Sequence, residues 1–371
     1  MPPIHKTDVP CAPSSRSHRG RARSRTVTRY SFDDLAGQRF LVTGATGFVG
    51  RRLCARLTAQ GARVTALVRE TSVRSGLPSD ARLIVGDLTS TEGAEAVREA
   101  ADGADCVFHL AAVVKSRSAE GYWHCNAAGS GRLAEVLASL PSPPRLVVCS
   151  SLAAAGPARP WQPRTEDEPA APVSHYGRSK LAGELAVREL AGLLTVVAIR
   201  PPIVYGPGDP AFLPSLLPMI RSGLVLKSGF GPRHYSVIHV DDLCTALLAA
   251  ATRGRTMCPD VPDSGVYTVS DGTEHTWQGI CRTVADVLGR RPPLVLPVPH
   301  TVTRGVAECA EALGRLRGFV PPLNRDKTRE LRCAAWTCST ERARTDLGFV
   351  PSIPLAEGIA ATLATAASAR P

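Results

Sequence analysis

The chain has 371 residues, of which 44% are hydrophobic and 21% charged, and a formal net charge of +11. Such a length and composition allow a large core and about two domains, and exclude a chain disordered throughout. No internal repeat is evident.

Residues 1–30 hold seven Lys and Arg against Asp8, so +6 of the net charge lies in a tail rich in Pro, Ser and Arg. Without apolar periodicity it is expected to be disordered through residue 36. A basic arm for nucleic acid or anionic lipid, a transit peptide and an over-extended start are the alternatives. It lacks the apolar centre of a secretory signal.

Phe40-Leu41-Val42 reads as a strand, followed by Gly44, Gly47 and Gly50 and then by a helix from Arg51 to Gln60. Glycine suits a turn that bends tightly and approaches a pyrophosphate, whose charge meets the N–H groups of the following helix. Gly44, Thr46, Gly47, Phe48 and Val49 are therefore the expected phosphate contacts. Four further strand candidates follow at Arg63–Arg69, Arg82–Leu88, Ala104–Leu110 and Pro144–Ser150, most of them separated by helix-like stretches. Continuous apolar strands in strand-helix alternation indicate an α/β fold with a doubly wound parallel sheet. Ligands in such sheets sit beyond the carboxyl ends of the strands, where Gly44, Arg69, Asp87, Ala111 and Ser151 fall.

Tyr176 and Lys180 are four apart in a segment of helical periodicity, so both lie on one face. A phenol ordinarily titrates near ~10, too high for a base at neutral pH, but a nearby ammonium and an oxidised nicotinamide favour the phenolate. Lys180 is thus expected to tune Tyr176 as general acid or base, with Ser151 holding the reacting oxygen. The bland alternative is a surface tyrosine beside a solvated lysine; Ser151 and the glycine turn weigh against it.

Thr43-Gly-x-x-Gly-x-x-Gly50, Gly86-Asp87-Leu88, His109-Leu110-Ala111-Ala112, Asn126-x-x-Gly129, Ser150-Ser151, Tyr176-x-x-x-Lys180, Arg200-Pro201-Pro202-x-x-Tyr205-Gly206-Pro207 and His239-Val240-Asp241-Asp242 together resemble the extended short-chain dehydrogenase/reductase superfamily. The likeness runs from about Gln38 to about Leu363. It implies a Rossmann-type domain over 37–200 and a mainly substrate-binding region over 201–371, with interleaved elements that complete the Rossmann domain. It also implies a catalytic set of Ser151, Tyr176 and Lys180, the last two also contacting the cofactor. Asp87 and Leu88 are the implied adenine contacts, Ala111 and Ala112 leave room for the cofactor backbone, and Pro202 is expected beside the nicotinamide. Asn126 is either a stabilising site contact or a helix cap.

An Arg at the end of the second strand accommodates a 2'-phosphate where an Asp or Glu binds the ribose hydroxyl. Arg69 favours NADP, with Arg74 as support, while Glu70 keeps NAD open. Nucleotide-sugar enzymes of this superfamily carry an asparagine and an arginine that grip the substrate pyrophosphate, and here Ile203 and Tyr235 occupy those places. Arg233 stands close enough to compete for that task. Loss of charge-assisted grips implies an uncharged, more apolar substrate, nearer the hydroxysteroid dehydrogenase and dihydroflavonol reductase branch. Lys115, Ile203 and Tyr235 are the candidate substrate contacts.

Phe212–Leu226, interrupted by Pro214, Pro218 and Arg221, reads as a helix and loop wall and falls short of the ~20 residues of a membrane span. Gly265–Val269 reads as a strand, and Thr276–Leu288, Val302–Leu316 and Leu355–Ala367 as helices of the substrate region. Val302–Leu316 has apolar and charged faces, so packing on the core is expected and a membrane surface is the alternative.

Eleven cysteines without a C-x-x-C pair suggest reduced, mostly buried thiols in a cytoplasmic protein. His124-Cys125 is too sparse for a metal site, and no metal is expected. The reading is an NAD(P)-dependent oxidoreductase for a secondary alcohol or ketone. A nucleotide-sugar epimerase or dehydratase and a non-catalytic cofactor-sensing protein are the alternatives. The expected partner is a small molecule, not nucleic acid, and a homodimer is allowed.

Overall fold

The computed structural model describes residues 35–90 and 92–368, so the basic tail, apart from its last two residues, lies outside the described residues. The first part of the chain alternates strand and helix: β1 (Arg39–Thr43), α1 (Phe48–Ala59), β2 (Arg63–Val68), β3 (Arg82–Val85), α2 (Gly93–Ala101), β4 (Cys106–His109) and α3 (Ala119–Trp123). A π-helical turn (His124–Ala128) runs into α4 (Gly129–Ala138), and β5 (Arg145–Cys149), α5 (Leu152–Ala155), α6 (His175–Glu189) and β6 (Val196–Arg200) complete this half. The remaining elements are β7 (Ile203–Tyr205), α7 (Phe212–Arg221), β8 (Leu224–Ser228), β9 (His234–Tyr235), β10 (Val237–His239), α8 (Val240–Thr252) and β11 (Val266–Thr268). Then come β12 (His275–Thr276), α9 (Trp277–Val287), β13 (Leu294–Val298), α10 (His300–Arg317), α11 (Arg325–Leu331), β14 (Ala335–Trp336) and α12 (Leu355–Ser368).

Seven parallel strands form the central sheet in the order β11-β6-β5-β4-β1-β2-β3. Apolar side chains alternate to both faces, as a sheet covered on both sides requires. Phe40 and Val42 meet Leu53, Leu57, Leu243 and Leu247 on one face, while Leu41 meets Leu133, Leu137 and Val187 on the other. The strand order reverses between β1 and β4, the topological switch where ligands of such sheets bind.

Several elements differ from the sequence reading, three of them for a visible physical reason. Helix α1 starts at Phe48, because Gly47 already has the extended cap conformation that opens a helix. Strand β3 stops at Val85, because Asp87 accepts from the Thr89 amide at 2.8 Å and turns the chain. The strand expected at Gly265–Val269 forms as β11, but it pairs with β6 in the large sheet instead of joining the smaller region.

The smaller region gathers α7, α9 and α12 around Leu216, Ile220, Ile280, Val284 and Ile359. Its helix α10 departs from expectation. Only Ala307 and Gly314 are buried, whereas Val302, Val306, Leu313 and Leu316 face solvent. The small residues set this orientation, since a Cβ on Gly314 would lie 2.7 Å from the Phe319 carbonyl oxygen. The ten described cysteines are free; Cys54, Cys106, Cys244, Cys281 and Cys338 are buried, so half of these thiols, fewer than expected, lie inside.

A buried ion pair fixes α6 to the sheet. Arg200 at the end of β6 donates to Glu184 through Nε at 2.9 Å and Nη2 at 2.5 Å, with both side chains almost fully enclosed. Removing one partner strands a buried charge. Glu184→Ala should therefore lower unfolding free energy by about 3–5 kcal/mol in urea denaturation, and replacing both residues with Met should recover most of that loss.

Candidate active site

Gly44 sits at φ +69°, and a Cβ there would lie 2.5 Å from the Ala111 amide nitrogen; on Gly50 it would lie 2.2 Å from the Gly44 carbonyl oxygen. Glycine at both positions lets the β1–α1 turn press against the end of β4. A Cβ on Gly47, by contrast, meets only the Gly44 oxygen, at 3.2 Å. No side chain caps the N-terminus of α1, and its first turn holds no acidic residue. An open helix start of this kind, reached through glycines, fits the pyrophosphate of a dinucleotide.

Ser151, Tyr176 and Lys180 come together beyond β5. Ser151 caps α5, accepting from the Ala153 amide at 3.1 Å. Its side chain also hydrogen-bonds Tyr176. Burial holds the Tyr176 phenol well above the ordinary tyrosine range, and the bond to Ser151 opposes this in part. Burial also lowers the pKa of Lys180, whose ammonium donates to the Cys149 carbonyl at 2.8 Å. Tyr176 is thus a protonated donor, and Ser151 is the group that draws its pKa down.

A buried relay connects this helix with the glycine turn. Ser130 gives its hydroxyl hydrogen to the Asn126 carbonyl at 2.7 Å, so it accepts from His109 Nε2 at 2.9 Å. His109 Nδ1 is then the acceptor for the Thr43 hydroxyl at 2.7 Å, and Thr43 accepts from the Ala111 amide at 3.3 Å. Asn126 clasps Val113 through both backbone groups and donates to Ser179 at 2.9 Å; Ser179 donates to the Tyr176 carbonyl at 2.8 Å. Asn126 is therefore a bridge inside the π-helical turn and does not cap a helix start. Burial pushes His109 down to about 3, so its ring stays neutral.

The expected cofactor residues line the strand ends. Thr46, Phe48 and Val49 lie in the turn and first turn of α1. Arg69 is exposed just after β2, while Glu70 turns to Arg74 at 3.7 Å. The Thr89 hydrogen bonds hold the Asp87 carboxyl below its ordinary range, with Arg69 adding to this. Leu88 packs against the core, Ala111 and Ala112 are half-buried, and Pro202 follows Pro201, whose carbonyl accepts from Leu152 at 2.8 Å. Lys115 is exposed on the loop after β4. His239-Val240-Asp241-Asp242 proves structural: Asp241 pairs with Arg52 of α1, and Asp242 accepts from Ser352 and Ile353.

Ile203 and Tyr235 belong to the apolar cluster of the smaller region, and Tyr235 stands edge-on to Trp277 with ring centroids 5.7 Å apart. Burial raises Tyr235 to about 12. Arg233 is buried and turned away from a substrate role, donating to the Ser228 carbonyl at 3.1 Å and meeting His300 at 3.2 Å.

Residues that sequence reading did not find complete the surroundings of Tyr176. Tyr122 of α3 packs against its ring at 6.0 Å. The Asp326 carboxylate of α11 accepts from the His175 and Tyr176 amides at 2.7 and 3.1 Å, and Glu330 one turn later accepts from the Ser174 hydroxyl at 2.8 Å. An acid seated on a helix N-terminus satisfies open amides and opposes the helix dipole. Beside it lies a cavity of about 450 Å³, walled by Tyr122, His175, Phe319, Val320 and Pro321 together with Asp326. These contacts span some 150 positions of sequence, and their one local signal was Asn324, the cap of α11.

Two outcomes follow. The unfolded chain protonates His109 below its ordinary value of about 6.5, whereas the folded chain resists down to about 3. Folding should lose stability as pH falls through this window, by up to about 1.4 kcal/mol per pH unit from this one group. Urea unfolding of His109→Gln across that window should show a correspondingly flatter slope. Asp326→Ala should cost about 1 kcal/mol of stability, as loss of a helix cap does, and lower turnover while fluorescence titration shows unchanged dinucleotide affinity.

The family model described as the NAD dependent epimerase/dehydratase family matches residues 40–261. A ceramide reductase of Caulobacter vibrioides is 32% identical over 86% of this chain and 88% of its own length. A 4-hydroxy-2-methyl-3-oxo-4-farnesyl-3,4-dihydroquinoline-1-oxide ketoreductase of Stigmatella aurantiaca is 30% identical over 86% of this chain and 94% of its own length. Among solved structures, MoeE5 in complex with UDP-glucuronic acid and NAD is 27% identical, with a TM-score of 0.67 over 90% of this chain and 100% of its own. With its seven-stranded sheet, its open glycine turn and these matches, the chain belongs to the NAD dependent epimerase/dehydratase family, within the extended short-chain dehydrogenases/reductases.

Proposed function

We propose that this enzyme is an NADP-preferring reductase that interconverts a ketone and a secondary alcohol on an amphiphilic molecule with a large apolar part. The observation that carries this reading is the protonated Tyr176 phenol, half-buried and hydrogen-bonded to Ser151 on a helix that also presents Lys180. A bound nicotinamide supplies or accepts the hydride. Ser151 orients the substrate oxygen, and Tyr176 gives it the proton as the carbonyl becomes an alcohol. Lys180, anchored on the Cys149 carbonyl, would meet the nicotinamide ribose, and Gly44, Thr46, Gly47, Phe48 and Val49 would hold the pyrophosphate. Asp87 and Leu88 would border the adenine, Ala111 and Ala112 would leave room along the cofactor, and Pro202 would flank the nicotinamide.

NADP preference is supported by Arg69, exposed at the end of β2, and by Glu70, which is drawn to Arg74. The apolar substrate is supported by Ile203 and Tyr235 in the places of phosphate grips, and by Arg233, whose guanidinium is committed to Ser228 and His300. The relatives' names add ceramide and a farnesylated quinoline oxide as molecules reduced by similar proteins. A cytoplasmic location is supported by the ten described free cysteines.

The test is net NADPH oxidation, followed by absorbance, against long-chain ketones, steroids and nucleotide sugars, with NADH in parallel. Turnover should occur with an apolar ketone. Tyr176→Phe should lower kcat by about 10²–10⁴-fold, the range of general acid catalysis, with NADPH binding retained. Turnover of nucleotide sugars alone without net cofactor change would overturn the reading, as would full activity of Tyr176→Phe.

A further inference from the structure

Strands β8 and β13 form a parallel pair separate from the large sheet, with Leu224 in register with Leu294 and Leu226 with Leu296. Residues in register lie on the same side of a sheet, and so do residues two apart along a strand. The four leucines therefore share one face. Each is 40–63% exposed, while Val225 and Lys227 between them are buried. Solvent-facing sheet positions usually carry polar residues, so a face of four leucines is anomalous.

The apolar surface continues into α10. Strand β13 passes through Pro299 directly into this helix, and His300 at its start hydrogen-bonds Ser228 at the end of β8 at 2.8 Å. Val302, Val306, Cys309, Leu313 and Leu316 recur at the spacing of one helical face, and all five are exposed. Phe230, in the loop after β8, is 72% exposed. Exposed apolar surface of this extent marks an interaction site.

Its rim is basic. Apart from Glu311 and Arg315, which lie on the far side of α10, residues 221–226 and 282–317 hold six arginines, all exposed, against Asp286 and Glu308. Arg290 reaches the Arg221 carbonyl at 3.3 Å, which sets both beside the start of the leucine face. Glu308 is paired with Arg304 at 3.0 Å, so it adds no free negative charge to the helix. Among the described residues no helix is long and apolar enough to cross a membrane. An apolar face flanked by arginines matches the acyl and headgroup layers of an anionic bilayer surface.

We propose that the β8–β13 leucine face and the outer stripe of α10 dock this protein peripherally on an anionic phospholipid membrane. The opposite side of α10 supplies Glu311 and Arg315 to the cavity beside His175 and Tyr176. One helix thus separates the bilayer from the candidate active site, and an apolar substrate has a short route between them. The docking itself stands on surface composition alone, apart from the catalytic reading.

The experiment is co-sedimentation of the full chain with phosphatidylglycerol-containing vesicles and with pure phosphatidylcholine vesicles. The test variants are Leu224→Ser/Leu226→Ser/Leu294→Ser/Leu296→Ser and Val306→Asp/Leu313→Asp. Native protein should bind the anionic vesicles, less so as salt rises, and both variants should lose at least tenfold in affinity while keeping the native melting temperature and the native turnover of a water-soluble ketone. Because the tail arginines are intact in both variants, binding equal to native would assign attachment to the tail and overturn the proposal. So would failure of the native chain to bind, or a native dimer in sedimentation velocity that the same substitutions dissociate. Vesicle binding requires no turnover, so a failed catalytic reading would leave this result standing.

Discussion

The arrangement depends on a hydrogen-bond relay whose direction is fixed by one neutral histidine. His109 donates toward Ser130 and accepts from Thr43, and both ends work only if the ring carries a single proton. Protonation would turn the acceptor into a second donor aimed at a hydroxyl that already accepts from Ala111. Burial prevents this by holding the ring at about 3. The same relay passes through Asn126 and Ser179 to the Tyr176 carbonyl. The turn that fits a dinucleotide and the helix that carries the candidate acid are thereby held in one frame. Every donor in that path is matched, which is the condition under which a buried polar network specifies a geometry instead of weakening the core.

Helix α6 is held at three places by three different means. Its N-terminus receives Asp326 and Glu330 from α11, its middle is tied through Ser179 to Asn126, and Glu184 meets Arg200 of the sheet. The first contact comes from a helix some 150 positions further along the chain. A ligand in the cavity next to Asp326 touches the element that caps the Tyr176 helix, so binding there and the position of the phenol share one set of contacts. This couples the two regions without requiring a domain movement.

The fold was legible where a local pattern has one structural meaning. Continuous apolar runs gave five strands of the sheet, and the glycines with the Tyr-x-x-x-Lys spacing marked the site. Where several partners compete for a surface, local pattern was insufficient. The spacing of Val302 to Leu316 correctly indicates an amphipathic helix, yet the side that packs is the one with Ala307 and Gly314, of which Gly314 fits closely against Phe319 in the turn after the helix. Likewise β11 is three residues long, and nothing in them tells which sheet they join. Tyr122 and Asp326 carry no periodic or motif signal, because their role arises from contacts between distant segments. Lys180 was expected beside Tyr176 from the spacing; its ammonium donates to the Cys149 carbonyl, and Ser151 adds a contact that lowers the phenol.

The charged groups near the smaller region are already engaged with its own structure. Arg233 could have replaced the missing phosphate grip at Tyr235, since it lies two residues away. Instead its guanidinium is held against the Ser228 carbonyl and His300, and freeing it to meet an anion would give up both hydrogen bonds. Lys227 is engaged in the same way with the Phe230 and Gly231 carbonyls. These two cations stabilise the loop that follows the leucine strand, so the interior of this region keeps apolar walls at Ile203, Tyr235 and Trp277. The arginines that do face an opening, Arg117, Arg315, Arg325 and Arg329, line the cavity beside His175 instead, with Arg325 paired to Glu311 and Arg329 to Asp326.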